Sequence, residues 1–522
     1  MPSLLLQLSP LLLLTSAPTA GAAALAAPTA PLAPHALRVE YLQAPLGVEI
    51  HRSPRFSWRL APPPPPTGGG LPPRNISQAA YELQVCRVRF GGSGGDECHG
   101  DGVRVASAES VNVELPGLQL TDDTLYTWRV RWWADDGGAP SDFSPNATFG
   151  TELRNWSDSA FIGGNYSANL LRTEFTLQSE VRVGRACLYI VGLGNYRAEL
   201  SGQPVGNVFR TPPTQFASRL LYDVHDVTAI LQQGIKPRTR HALGVALGHA
   251  RYASQGSATH CTGGQTTCDM ATRVVLSIVF EDGSTQRVVS QPGSSWQVAA
   301  GPTVHDDSYT GEVYDARLAM VGWSTPGFSA SSTRWRSAEA VTTPPGAVLS
   351  SYLMPPVTKA EVYTAIRTWQ PQHNEHSFDF GQSVAGAIEL TIPEGCAPGT
   401  RITVTHGEAT HQPQVENGGP GRVFHLYDCG PHGNGCTAFA VYICSGTESG
   451  LTGTTRWSPS YFTSGGRFVK IEGYPGPLAR EGLRLAGVRV DVEHTGTVMT
   501  SNDRLNEASR IGRKRKTPLN GF

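Results

Sequence analysis

Short runs in which apolar and polar side chains alternate recur along most of the chain. Leu125–Trp133, LYTWRVRWW, is the clearest. Tyr126, Trp128, Val130 and Trp132 share one face and Arg129 and Arg131 the other, which predicts a half-buried antiparallel strand. Ile388, Leu390 and Ile392 point one way from a second strand, and Ile402 and Val404 do so from the next, with a Pro-Gly turn between them. Ala79–Val88 and Leu170–Leu177 read as further strands. Ala186–Val205 reads as a strand, a bend and a strand turning at Ser201-Gly202, and Val274–Val289 as two strands joined by a type I′ turn at Asp282-Gly283. Asp135–Gly138, DDGG, supplies another hairpin turn. After residue 496 the period changes: Ser501 or Asn502 is placed to cap a helix carrying Leu505, Ala508 and Ile511, which Gly512 would end.

Composition agrees with this β pattern. The 522 residues suggest three or four domains, and 58 glycines with 39 prolines against 16% charged residues suit short strands joined by many turns. The expected fold is all-β: three tandem sandwiches over residues 36–150, 158–345 and 350–495, then a helical start and basic tail over 496–522. Pro62–Gly70, PPPPPTGGG, reads as a solvated loop inside the first unit, a proline-recognition ligand being the alternative. A net charge of −1 gives no reason to expect nucleic acid or an anionic membrane as partner. Residues 1–26 read as a secretory signal peptide, because Leu4–Leu14 is mostly apolar, small residues follow, and the first basic side chain is Arg38. An Ala/Pro-rich disordered leader is the alternative. The stretch is too short and too interrupted to cross a bilayer. Arg513–Lys516, RKRK, reads as part of a solvated tail, since a secreted chain has no use for a nuclear signal.

Four sequons, at Asn75, Asn146, Asn155 and Asn165, fit a glycosylated, secreted protein. Among nine cysteines, Cys86 with Cys98, Cys261 with Cys268, and Cys429 with Cys436 are spaced for short-loop disulfides in an oxidising compartment. The odd count leaves at least one unpaired; Cys187, in ACLYIV, reads as a buried thiol. His425, Cys429, His432 and Cys436 approach zinc spacing, as do His406, Glu408 and His411. A Cys429–Cys436 bridge and a strand end explain these sets without metal. Gly381–Gly386, GQSVAG, lacks the spacing of a nucleophile elbow, and no phosphate-binding glycine loop occurs.

Phe378–Glu408, FDFGQSVAGAIELTIPEGCAPGTRITVTHGE, with Gly466–Pro477, GRFVKIEGYPGP, resembles the accessory β-domain of bacterial-type α-L-rhamnosidases. Gly311–Arg317, GEVYDAR, with Gly322-Trp323, resembles the end of the same family's jelly-roll domain. Residues 36–150 look like a fibronectin type III-like sandwich. The resemblance implies fibronectin type III-like, jelly-roll and concanavalin-like sandwiches ahead of a helical (α/α) barrel. In that family the barrel carries the paired carboxylates that remove terminal α-L-rhamnose with inversion and without a redox cofactor. Only the start of that barrel is legible here, so the chain is expected to be an inactive fragment with no catalytic residue of its own. Glu312 and Asp315 are read as structural. The resemblance also implies a sugar site in the jelly-roll domain, with calcium bridging hydroxyls and acidic ligands. At Asn207 an amide stands where relatives often carry an acid, so a calcium site would be weaker. Trp323 and Tyr309 are candidate platforms, and Trp457, Tyr461, Phe462 and Phe468 form an apolar set for a barrel to cover. The expected partner is a rhamnose-containing glycan or glycoside. The alternative function is a secreted, non-catalytic rhamnose lectin or adhesion protein.

Overall fold

The computed structural model describes residues 31–60, 77–92, 97–135, 138–164, 167–206, 214–233, 239–249, 252, 269–308, 310–330, 334–342, 346–410, 423–424, 439–447, 456–493, 496 and 498–514. The expectations at residues 1–26, the loop at 62–70, Asn75, Asn165, Asn207, Cys261, Cys268, Tyr309, His411, His425, Cys429, His432 and Cys436 lie outside these residues. The regular structure of the described residues is nearly all strand, as the alternation predicts.

In the first sandwich Leu125–Ala134 lies between Gln78–Arg87 and Ala147–Gly150, and His35–Val39 pairs with Phe56–Arg59. Tyr126, Trp128, Val130 and Trp132 are buried, and Trp128 meets Phe56 edge to face at 4.9 Å. The second sandwich has two sheets. One centres on Val183–Leu193, between Ala271–Phe280 and Arg219–Asp226; the other runs from Gln203–Val205 through Asn195–Leu200 and Arg240–Gly248 to Leu170–Thr176. Gly194, at φ +105°, lets the chain step from one sheet to the other, since any Cβ there would sit 2.1 Å from the Gly248 carbonyl oxygen. Ser201 and Gly202, both at positive φ, turn Asn195–Leu200 back into Gln203–Val205 as expected. The Asp282-Gly283 turn differs from expectation. Only Gly283 has positive φ, the Gly283 amide donates to the Phe280 carbonyl and the Phe280 amide to that of Ser284. That is a type I turn with a glycine bulge, the geometry a longer hairpin loop takes.

The third unit is one continuous sheet folded around its own core. Its order is Thr303–Asp307, Gly311–Asp315, Phe439–Ile443, Arg401–Gly407, Ser464–Glu472, Glu375–Thr391, Leu483–Val490 and Val357–Thr364. Glu375–Thr391 is long enough to serve both halves, and its register shifts between Asp379 and Val384, next to Gly381 at φ +73°. Ile388, Leu390, Ile392, Ile402 and Val404 all enter the core.

The boundary drawn between residues 345 and 350 is crossed in both directions. Gly311–Asp315, read as closing the second unit, pairs in parallel with Phe439–Ile443 of the third. Val348–Ser351 pairs in parallel with Arg219–Asp226 of the second. Parallel pairs between strands this far apart in sequence leave no local signal. The first sandwich is fastened by Asp123, whose carboxylate accepts from Arg185 at 2.8 Å and Tyr189 at 2.6 Å.

Cys86 and Cys98 are bonded across adjacent strands, and Cys187 is a buried free thiol. A second bridge, Cys396–Cys444, escapes the short-loop reading because 48 residues separate its cysteines. Trp457, Tyr461, Phe462 and Phe468 are all buried within this chain, at most 9% exposed, and do not form an open face. Asn502 caps the helix Asp503–Lys514, accepting from the Arg504 and Leu505 amides, and the helix runs past Gly512.

Two outcomes are expected in denaturant unfolding. Gly311, at φ +106°, leaves a Cβ 1.8 Å from the Phe439 carbonyl oxygen. Gly311→Ala should therefore cost about 2–4 kcal/mol, and an unchanged midpoint would contradict the pairing. Replacing Cys396 and Cys444 together by alanine should cost roughly 3–4 kcal/mol, as expected when a loop of this size is released.

Candidate functional site

The seam between the second sandwich and the third sheet holds several buried carboxylates. Glu312, in the middle of its strand, has no solvent exposure, and its carboxylate accepts from the Ser460 amide at 2.9 Å and the Tyr461 amide at 2.7 Å. Burial pushes this carboxyl up to about 7, against the opposing pull of the two amides. Tyr461 is thereby laid against Gly248, where a Cβ would lie 2.6 Å from its ring. Beside it Asp306 accepts from both the His249 amide and its Nδ1, at 2.6 and 2.8 Å. Asp315 is held by Arg317 through two bonds of 2.9 and 2.7 Å, and these hold its carboxyl below the usual range. Glu312 and Asp315 therefore carry structural loads, as the GEVYDAR resemblance implied.

Along this seam opens a cleft of about 340 Å³ lined by Tyr196, Arg197, Glu199, Pro204, Val205, Gly206, His225, Thr358 and Lys359. Asn195–Leu200 sets Arg197 and Glu199 on one face by its period of two. Tyr196, on the opposite face, reaches between the sheets to Asp223 at 2.6 Å and His225 Nε2 at 2.9 Å. Burial pushes Asp223 up to about 6 and His225 down to about 4. Above pH 6 the single hydroxyl proton of Tyr196 goes to the Asp223 carboxylate, so His225 donates its Nε2–H to the tyrosine oxygen. Gly206 lies flat on the His225 ring, where a Cβ would come within 2.7 Å. From the third sheet, Lys359 bonds Ser458 at 2.8 Å and stands 3.9 Å from Glu389. Arg197 bonds Ser460 across the seam at 3.2 Å. Glu199 accepts from Ser324.

Apart from Pro204, Val205 and Gly206, in the loop expected to bind sugar, none of these cleft residues was singled out from sequence, although Asp223 and His225 gave a signal. They sit two apart on one face of RLLYDVHD, while Leu220 and Tyr222 enter an apolar core from the other. The loop expected to bind sugar borders the cleft through Pro204, Val205 and Gly206, immediately before Asn207. Trp323 is not an open platform: it stacks on Trp335 at 6.5 Å and its ring lies against Gly244. His406 is buried inside Arg401–Gly407, whereas Glu408 is exposed beyond its end. Asn146 and Asn155 are both exposed. Cys187 lies among apolar neighbours, and burial pushes its thiol up to about 12.

Three family models match the chain in succession. The Rha78A-like N-terminal immunoglobulin domain matches residues 34–155, the α-L-rhamnosidase N-terminal domain 181–361, and the bacterial α-L-rhamnosidase concanavalin-like domain 370–490. The first is described as immunoglobulin rather than fibronectin type III, two classes that share the sandwich architecture. An α-L-rhamnosidase of Formosa agariphila is 26% identical over 90% of this chain and 49% of its own length. The structure of an α-L-rhamnosidase from Dictyoglumus thermophilum superposes with a TM-score of 0.74 at 28% identity, over 91% of this chain and 51% of that one. A Streptomyces avermitilis α-L-rhamnosidase complexed with L-rhamnose shares the fold, with a TM-score of 0.72 at 19% identity over 91% and 59% of the two chains. The chain spans about half the length of the Formosa relative and of the Dictyoglumus structure.

The seam gives a pH-dependent expectation. Glu312 titrates near 7 when folded and near 4.5 when unfolded, so the folded chain holds the extra proton between those values. The stability this group contributes is full below 4.5 and is lost as pH rises through 7, by up to about 1.4 kcal/mol per unit. Wild type should therefore lose stability relative to Glu312→Gln between pH 5 and pH 8. A difference that stays constant over that range would contradict the assignment.

Proposed function

The chain belongs, domain by domain, to the bacterial α-L-rhamnosidase family, and we propose that it forms the non-barrel part of an enzyme that releases terminal α-L-rhamnose from glycosides or polysaccharides. The observation that carries this reading is the unbroken succession of three family domains at about half a relative's length. Inverting hydrolysis needs an acid and a base carboxyl about 6.5–9.5 Å apart with a water between them. The two tempting carboxylates on Gly311–Asp315 are engaged, Glu312 by backbone amides and Asp315 by Arg317. In this reading the reacting pair stands on a helical domain following the third sheet, and the domains described here fix its position. The helix capped by Asn502 is where that domain would begin.

The protein is proposed to be secreted and glycosylated. The exposure of Asn146 and Asn155 and the bridges Cys86–Cys98 and Cys396–Cys444 support an oxidising, glycosylating route. A second reading, calcium-assisted binding of L-rhamnose by the jelly-roll domain, is favoured by one observation: the strand and turn leading to Asn207 wall a cleft. Calorimetry with L-rhamnose, with and without calcium, tests it, and absence of heat in both would remove it.

Residues 1–522 alone should not turn over a chromogenic α-L-rhamnoside. Sustained turnover that survives rigorous purification would contradict the assignment of the reacting carboxylates to a following domain.

A further inference from the structure

The cleft at the seam has a chemistry that neither rhamnose release nor a calcium site uses. Arg197 enters from the second sandwich and Lys359 from the third sheet, so two cations from opposite sides of the seam line one open cleft. Arg197 is exposed at its strand and bonds the neutral Ser460 hydroxyl. Lys359 is more enclosed, bonded to the Ser458 hydroxyl, with Glu389 at the longer distance of 3.9 Å. Pro204 and Val205 supply an apolar wall, and Glu199 adds one carboxylate to the lining. A carboxylate inside a cleft with two cations disfavours an extended polyanion, whereas a small ligand with one anionic group and several hydroxyls matches every element. The volume is that of an ordinary small-ligand site.

We propose that this cleft binds a carboxylated saccharide, its carboxylate seated between Arg197 and Lys359, its hydroxyls donating to Glu199 and its C–H face lying on Pro204 and Val205. This goes beyond the rhamnosidase reading and requires no calcium. The electrostatics support it. Burial first, and then Arg197, lower the proton affinity of Lys359, while Glu389 and Glu312 act in the opposite sense. An anion between the two cations would relieve their repulsion and raise that affinity again. Ligand binding is therefore coupled to proton uptake at alkaline pH. The arginine supplies a planar fork for the carboxylate and the lysine a point charge.

The test is titration calorimetry of the whole chain with D-glucuronate in EDTA at alkaline pH, in two buffers of different ionisation enthalpy. D-glucose, L-rhamnose and inorganic sulfate are run beside it. Glucuronate should bind with net proton uptake, the neutral sugars and sulfate should bind more weakly, and Arg197→Gln and Lys359→Met should each weaken glucuronate by about tenfold or more. Arg197 is exposed, so its variant keeps the test open should Lys359→Met fail to fold. No heat with glucuronate, equal heat with glucose, equal affinity for sulfate, or indifference to Arg197→Gln would each overturn the proposal. In a parallel titration with calcium in place of EDTA, binding of L-rhamnose without glucuronate binding in either condition would overturn it while leaving the rhamnose reading intact.

Discussion

The insertion of Gly311–Asp315 beside Phe439–Ile443 is the constraint on which the arrangement of the chain depends. A strand that emerges from the second sandwich is spent in the third sheet, and Val348–Ser351 returns to the second. Neither sheet keeps its full complement of strands if the two are separated. Glu312 fixes this insertion, because both of its oxygens are committed to amides of a single turn, Ser460-Tyr461. That turn sets Tyr461 against Gly248 and Ser460 against Arg197, so one carboxylate governs the packing and the mouth of the cleft together.

Half-buried and buried carboxylates fasten the seams and the strands that cross them. Asp123 ties the first sandwich to the second through Arg185 and Tyr189, Asp306 ties the third sheet to His249, and Glu312 ties it to the Ser460 turn. Removing such a group from water is costly, and the cost is offset only when each oxygen finds a donor. Apolar contacts would bury area with less demand on geometry. A carboxylate with two specified donors admits few alternative placements, which suits domains that must hold a fixed relative position. The arginine and lysine of the cleft depend on that position, since they come from opposite sides of the seam.

Much of this architecture was legible locally. Alternation over Tyr126–Trp132 and Ile388–Ile392 marked strands and their buried faces, the Ser201-Gly202 turn was apparent from its residues, and Ser501 or Asn502 marked the helix start, of which Asn502 is the cap. What failed to show was long-range. GEVYDAR lies inside the span matched by the α-L-rhamnosidase N-terminal domain, where its sequence placed it, but its parallel pairing into the third sheet has no signature in its neighbours. Cys396 and Cys444 are too far apart for a spacing argument, and the aromatic cluster from Trp457 to Phe468 could not be told from a docking face without knowing what covers it. The cleft was invisible for the same reason, because Arg197 and Lys359 lie on different domains. Only the polar pair Asp223 and His225 on an apolar strand hinted that this edge of the sandwich is more than packing.

The chain spans about half the length of the Formosa relative, and on the proposed reading the native product carries a further helical domain. The most direct measurement is the mass of the native protein, by immunoblot against residues 36–150 after removal of glycans. A band above 55.8 kDa by the mass of a helical domain is the predicted result. A band at or slightly below 55.8 kDa would contradict the account and leave a secreted binding protein in its place.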